Sequence, residues 1–234
     1  MSKNLILAST STVYGGTYLE YLFPILEEHF AHSKEVCFIP YARPSGLSHD
    51  DYTSIVKKAF IKLGKKVTGL HEYKDPQKAI TEASAIFTGG GNTFVLVNQL
   101  YKQEVMPTLR EALHNGVPYL GTSAGSNICG LTMQTSNDMP IQYPPSFKTL
   151  GLVPFNINPH YLDPIDGNTH MGETRETRIK EFHAYNTIPV IGLREGSWLE
   201  VKNSSIVLKG TLKARIFEKN KAPLEIASNT ALDF

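Results

Sequence analysis

Short apolar runs alternate with longer amphipathic stretches through the first two-thirds of the chain. Leu5–Ala8, Val36–Pro40, Lys66–Leu70, Ala85–Phe87 and Val117–Leu120 predict strands, the second of them buried. Between them, Tyr18–Phe30, Asp50–Leu63, Pro76–Ala83, Thr93–Gln103 and Val105–His114 predict helices; the first puts Leu19, Leu22, Ile25 and Leu26 on one face. Strands separated by helices at this spacing imply βαβ units. The expected fold class is α/β: a mainly parallel sheet flanked by helices on both faces. Such sheets gather ligands at the carboxyl ends of their strands.

After about residue 195 the pattern changes. Trp198–Val201, Ser205–Leu208 and Ala214–Phe217 are short strands separated by Lys202-Asn203-Ser204 and Gly210. They predict a C-terminal antiparallel strand addition, a meander at the edge of the sheet. No repeat or Pro/Ser-rich linker interrupts the chain, and Tyr143-Pro144-Pro145 marks a loop. Residues 1–234 are expected to form a single α/β domain.

Composition narrows the partners. With 41% hydrophobic residues, eleven Phe and eleven Tyr, the chain can bury a core and is not disordered. Its 23 Lys+Arg against 22 Asp+Glu leave a formal charge of +1, which gives no general field for nucleic acid or an anionic membrane. Leu5–Ala8 is shorter than a signal-peptide core, and no run approaches the ~20 apolar residues of a membrane span. Cys37 and Cys129, each among apolar neighbours, read as buried reduced thiols. A soluble, cytoplasmic protein is expected; oligomeric state is not read from this pattern.

The sharpest chemical signal is Gly121-Thr122-Ser123-Ala124-Gly125, a Gly-x-Ser-x-Gly run between a buried strand and the start of a helix. A serine on so tight a turn is pushed out to where substrate reaches it, and the flanking glycines remove side chains that would collide. The N–H of Ala124 is then placed to receive a developing oxyanion. Gly89-Gly90-Gly91-Asn92 follows a neighbouring strand, and Gly91 is the expected second donor. The same glycines do not make a nucleotide cradle: the Lys-Ser/Thr ending is missing, and Phe94 stands where Gly-x-Gly-x-x-Gly needs its last glycine.

A serine nucleophile needs a base. Of eight histidines, His29, His32, His49, His71, His114 and His183 sit in helical or polar stretches, where a solvated surface role is the default. His160 closes the extended run Phe155–Pro159 at a strand end, and His170 is a weaker candidate nearby. Asp138, in a turn-rich stretch, and Glu195, after the strand Val190–Leu193, both qualify as the acid that orients the imidazole. No His-Glu-x-x-His or Cys/His spacing suggests a metal, and no cofactor is expected.

Together these segments resemble the peptidase E family of α-aspartyl dipeptidases. The likeness runs through Gly15–Glu20, Phe38–Ala42, Gly89–Phe94, Ser123–Gly125, Thr135–Ile141, Ile157–His160, Gly172–Glu176 and Gly192–Gly196, in that order. It implies a class I glutamine amidotransferase-like fold and hydrolysis of a small acidic dipeptide, Asp-X, with Ser123 as nucleophile and His160 as base. It also implies that Arg175 receives the substrate's β-carboxylate, a task suited to a planar guanidinium. Within it either carboxylate serves as third member, with Asp138 slightly favoured. Thr122 departs from the tryptophan common in bacterial relatives and is expected to alter the pocket wall. A cyanophycinase-like hydrolase of aspartate-linked polymer and a non-catalytic metabolite-binding protein are the alternatives.

Overall fold

Five parallel strands make up most of the larger of two sheets. The computed structural model describes residues 2–44, 46–164 and 172–234. Strands β1 (Asn4–Ala8), β2 (Glu35–Ile39), β3 (Lys66–Gly69), β4 (Ile86–Thr88) and β5 (Tyr119–Thr122) pair in the order β3-β2-β4-β5-β1, all in parallel. Two antiparallel strands, β8 (Ser197–Lys202) and β9 (Ser205–Gly210), extend the sheet beyond β1. Strand β5 therefore lies between β4 and β1, and its carboxyl end is flanked by the segments that follow both.

The pleat sorts the side chains into two cores. Leu5, Leu7, Cys37, Ile39 and Ile86 pack on one face with helices α3 (Pro76–Thr81), α4 (Thr93–Lys102) and α5 (Met106–His114). Ile6, Ala8, Val36, Phe38 and Phe87 pack on the other with α1 (Phe23–His29) and α2 (His49–Ile61). Apolar strands with both faces covered are what the continuous runs required, and the α/β expectation holds. The expected helix at 18–30 is divided: Glu20–Leu22 is a 3-10 turn and α1 begins at Phe23. Pro24, with no N–H to give, sits in the first turn of α1 and sets its start there. Ser48 caps α2 by accepting from the Asp51 N–H (3.0 Å), and Asn92 caps α4 through the Val95 N–H (3.1 Å).

A second sheet was not foreseen. Strands β6 (Asn156–Pro159) and β7 (Val190–Leu193) pair in parallel, and β10 (Ala214–Phe217) and β11 (Leu224–Ile226) complete the order β11-β10-β7-β6. The third meander strand, Ala214–Phe217, thus leaves the edge of the large sheet and pairs antiparallel with β7. Burial of Ala214, Ile216 and Phe217 accounts for the change: the strand closes the second sheet's core instead of widening the first. Helix α7 (Arg175–Tyr185) packs Ile179 against Tyr161, Val190 and Phe217 of that layer. Among the described residues no helix is long and apolar enough to cross a membrane.

Candidate active site

Ser123 sits between β5 and the one-turn helix α6 (Ala124–Asn127), with φ 54° and ψ −112°, a conformation rare for a side-chain-bearing residue. Both motif glycines are required sterically. A Cβ at Gly121 would lie 2.5 Å from the Gly125 carbonyl oxygen, and one at Gly125 would overlap the Thr88 carbonyl oxygen. The turn is held from below by the Ser123 N–H, which donates to the Ala8 carbonyl (3.1 Å).

The loop after β4 packs directly on this turn, with a Cβ position at Gly90 only 2.9 Å from Ser123 Cβ. The Gly90 carbonyl accepts from Arg43 Nε (3.1 Å) and Tyr52 Oη (3.2 Å). In a trans peptide the N–H points opposite to the carbonyl, so the Gly91 N–H is turned away from Tyr52 and Arg43. Gly91 has φ +143° and its missing side chain would strike the Ala42 carbonyl, so only glycine fits. Among the described residues, neither the Gly91 nor the Ala124 N–H has a backbone acceptor.

His160 and Glu195 arrive from the second sheet, immediately after β6 and two residues after β7. His160 Nδ1 is 2.5 Å from Glu195 Oε1, and Nε2 is 2.9 Å from Ser123 Oγ. An ionised carboxylate only accepts, so Nδ1–H donates to Glu195 and Nε2 is left to accept the serine proton. The pair is partly open, with the side chains 37% and 47% exposed, so water reaches it.

Asp138 is elsewhere. Its Oδ2 accepts from the Thr93 N–H (2.7 Å), the Thr93 hydroxyl (2.6 Å) and the Ser136 hydroxyl (2.8 Å), at the N-terminus of α4. The neighbour of His160 Nδ1 is Glu195, whereas Asp138, the slightly favoured candidate, lies against Thr93 and Ser136. Arg175 opens α7 behind its cap Thr174 and is half-buried. Burial, then the neighbouring Arg178, pulls its pKa down, while the charge of Asp138 acts in the opposite sense. Among the described residues no carboxylate lies within ion-pair distance of it. Thr122 is fully buried at the end of β5 with Oγ1 unpartnered, so it meets the core and not an open pocket wall. His170 lies outside the described residues. The surface role expected of His29 and His183 is overturned: His29 Nε2–H donates to the Tyr119 carbonyl (3.1 Å) and His183 is 7% exposed.

The family model for peptidase family S51 matches residues 5–209. The chain belongs to peptidase family S51. Among its S51 relatives, "Peptidase E" of Streptomyces coelicolor is 47% identical over 229 residues, 98% of this chain and 93% of that protein. "Probable alpha-aspartyl dipeptidase" of Drosophila melanogaster is 46% identical over 236 residues, 100% of this chain and 97% of that protein. A crystal structure of a peptidase from an acI-B1 actinobacterium superposes with a TM-score of 0.75, covering 100% of this chain and 98% of that one; at 17% identity the likeness is one of fold.

Sequence reasoning missed the residues that brace this S51 site from behind. Asn127 on α6 donates to the Ile157 carbonyl of β6 (2.7 Å), joining the serine's helix to the histidine's strand. Asn137 donates to the Pro159 carbonyl (2.7 Å), and Asn158 donates to Asn137 Oδ1 (2.8 Å), fixing the chain just before His160. Asparagines in turn-like sequence read as turn formers, and no local signal marks these three as braces. Among the described residues no group of three His, Cys, Asp or Glu side chains is arranged to hold a metal ion.

Proposed function

We propose that the protein is a serine dipeptidase that hydrolyses dipeptides with an N-terminal aspartate, residues 1–234 acting as one hydrolytic domain. One observation carries the reading. The hydrogen-bonded line Ser123–His160–Glu195 starts from the serine of a Gly-x-Ser-x-Gly turn, in a chain 46% identical along its whole length to a relative named for α-aspartyl dipeptidase.

In this mechanism Ser123 Oγ attacks the carbonyl of the aspartyl residue while His160 Nε2 takes its proton. Glu195 holds the Nδ1–H tautomer and offsets the imidazolium charge as it forms. The Gly91 and Ala124 N–H groups, without backbone acceptors among the described residues, receive the tetrahedral oxyanion. His160 then protonates the leaving amine, and water repeats the sequence on the acyl-enzyme.

Substrate choice rests on Arg175. A chain of net charge +1 has no broad positive surface to attract an acidic dipeptide, so recognition falls to a placed cation. Arg175 is half-buried with no carboxylate in ion-pair distance among the described residues, which suits it to grip a β-carboxylate with two parallel bonds. Asp138 anchors the first turn of α4 beside the Gly91 loop. Two buried free cysteines support a cytoplasmic setting. The test is release of leucine from Asp-Leu by wild type and Ser123→Ala. Loss of turnover with an unchanged circular dichroism spectrum is expected; near-normal activity overturns the reading.

A further inference from the structure

The proposed triad straddles two sheets. Ser123 follows β5 in the seven-stranded sheet, whereas His160 and Glu195 follow β6 and β7 in the four-stranded one. A 2.9 Å contact between Ser123 and His160 therefore depends on how the two sheets are held at their carboxyl ends. Beside the Asn127 bond to β6, Ser9, the first residue after β1, joins them there.

Ser9 is fully buried, and its one hydroxyl is used in both directions. Its O–H donates to the Leu193 carbonyl (2.7 Å), and its oxygen accepts the His160 N–H (2.9 Å). Leu193 is two residues before Glu195, so a single hydroxyl ties down both the imidazole's backbone and the strand end that carries its carboxylate. On the other side, the Ser9 N–H donates to the Ser197 carbonyl (3.0 Å), continuing the ladder with β8. Its neighbour Ala8 presents the carbonyl that receives the Ser123 N–H (3.1 Å) and the Ser126 hydroxyl (2.7 Å). Two consecutive residues thus bond the Ser123 amide, the His160 amide and the strand end that leads to Glu195.

The His160 backbone makes this tie necessary. Strand β6 runs in register with β7 as far as Pro159 opposite Leu193. At His160 the chain turns to φ +53°, a left-handed conformation that a non-glycine residue adopts only when its surroundings impose it. The turn takes the His160 N–H out of the ladder and aims the ring at Ser123, and Ser9 receives the amide that is freed. In a fully buried position no solvent water replaces that acceptor.

We propose that Ser9 is a positioning residue, its hydroxyl fixing the placement of His160 and Glu195 relative to Ser123 across the junction of the two sheets. It touches no substrate. The proposal rests on the serine dipeptidase reading above.

Steady-state hydrolysis of Asp-Leu by Ser9→Ala, Ser9→Thr and Ser9→Val tests it, each variant checked for folding by near-ultraviolet circular dichroism. A misplacement of under an ångström at the reacting atoms is expected to lower kcat of Ser9→Ala about 10- to 100-fold, with KM within about 3-fold of wild type. Thr and Val have the same shape and differ in the hydroxyl, so Ser9→Thr is expected to outpace Ser9→Val by about 10-fold. This pair carries the comparison if Ser9→Ala does not accumulate as folded protein. In a Glu195→Gln background, Ser9→Ala is expected to remove less than about 3-fold more, because both act on the same imidazole. A folded Ser9→Ala with kcat within about twofold of wild type, equal rates for Thr and Val, or full additivity with Glu195→Gln overturns the proposal. Ser123→Ala in the same panel separates the two ideas. Its retained activity sinks the dipeptidase mechanism, whereas an inactive Ser123→Ala beside a fully active Ser9→Ala sinks only the role of Ser9.

Discussion

Replacing Glu195 by Gln removes one charge and keeps the shape, which isolates what the carboxylate does for His160. In the resting site it accepts the Nδ1–H at 2.5 Å. As Ser123 gives up its proton, the imidazole becomes a cation whose charge centre lies ~4 Å from the carboxylate. Two unit charges at that distance attract by about 4 kcal/mol at the effective dielectric near a protein surface and about 1 kcal/mol in water. The side chains of His160 and Glu195 are 37% and 47% exposed, so the effective value falls between these limits, about 2–3 kcal/mol. At 1.36 kcal/mol per decade this corresponds to about a 30- to 160-fold loss of kcat. KM for Asp-Leu should stay within about 3-fold, because the charge is needed in the transition state and not for binding. Asp138→Asn is the informative partner in the same assay. Its carboxylate meets Thr93 and Ser136, and the amide retains part of that bonding. The expected result is a cost of about 1–2 kcal/mol in stability, read as a fall in Tm of about 2–8 °C, with a smaller kcat loss than in Glu195→Gln. If Asp138→Asn loses more kcat than Glu195→Gln, the assignment of the third member to Glu195 is refuted.

Two further predictions concern recognition and pH. Arg175→Lys keeps a positive charge but not the planar fork, so kcat/KM for Asp-Leu should fall by about 10²-fold or more while that for Ala-Leu changes little; an unchanged ratio of the two substrates would reject Arg175 as the carboxylate receptor. His29 is held down to a pKa of about 4, first by burial, so between pH 6.5 and 4 the unfolded chain binds a proton that the folded one does not. Stability should therefore drop as pH falls through that window, by about 3 kcal/mol for this group, and a His29→Gln variant should show a flatter urea-unfolding profile over the same range. An identical pH slope in wild type and variant would remove His29 from the account.

The parallel sheet and its helices were legible because each strand is a contiguous apolar run that has to be covered on both faces, and each helix carries its own periodicity. The Gly-x-Ser-x-Gly turn was legible for a related reason: Gly121 is required by a contact within the turn itself, with the Gly125 carbonyl four residues on. Strands β6, β7 and β10 were individually visible as extended segments, yet their pairing into a second sheet was not. A short strand's side chains show that it is buried, and they do not name the edge on which it pairs.

The same division separates what the residues determined alone from what the tertiary structure decided. The sequence by itself specified a serine on a strained turn at the end of a buried strand, a glycine loop beside it and a histidine at a strand end, because those features follow from local sterics and strand chemistry. It offered Asp138, in a turn-rich stretch, and Glu195, just after a strand, with Asp138 slightly favoured. The second sheet sets the ends of β6 and β7 side by side, with Pro159 opposite Leu193, so that His160 and Glu195, which follow them, meet. It also drew in Ser9, an unremarked serine that lies 151 positions from His160 in sequence and 2.9 Å from it in space. Partners that distant are chosen by the packing of the whole chain, since nothing in the flanking residues of either one encodes the encounter.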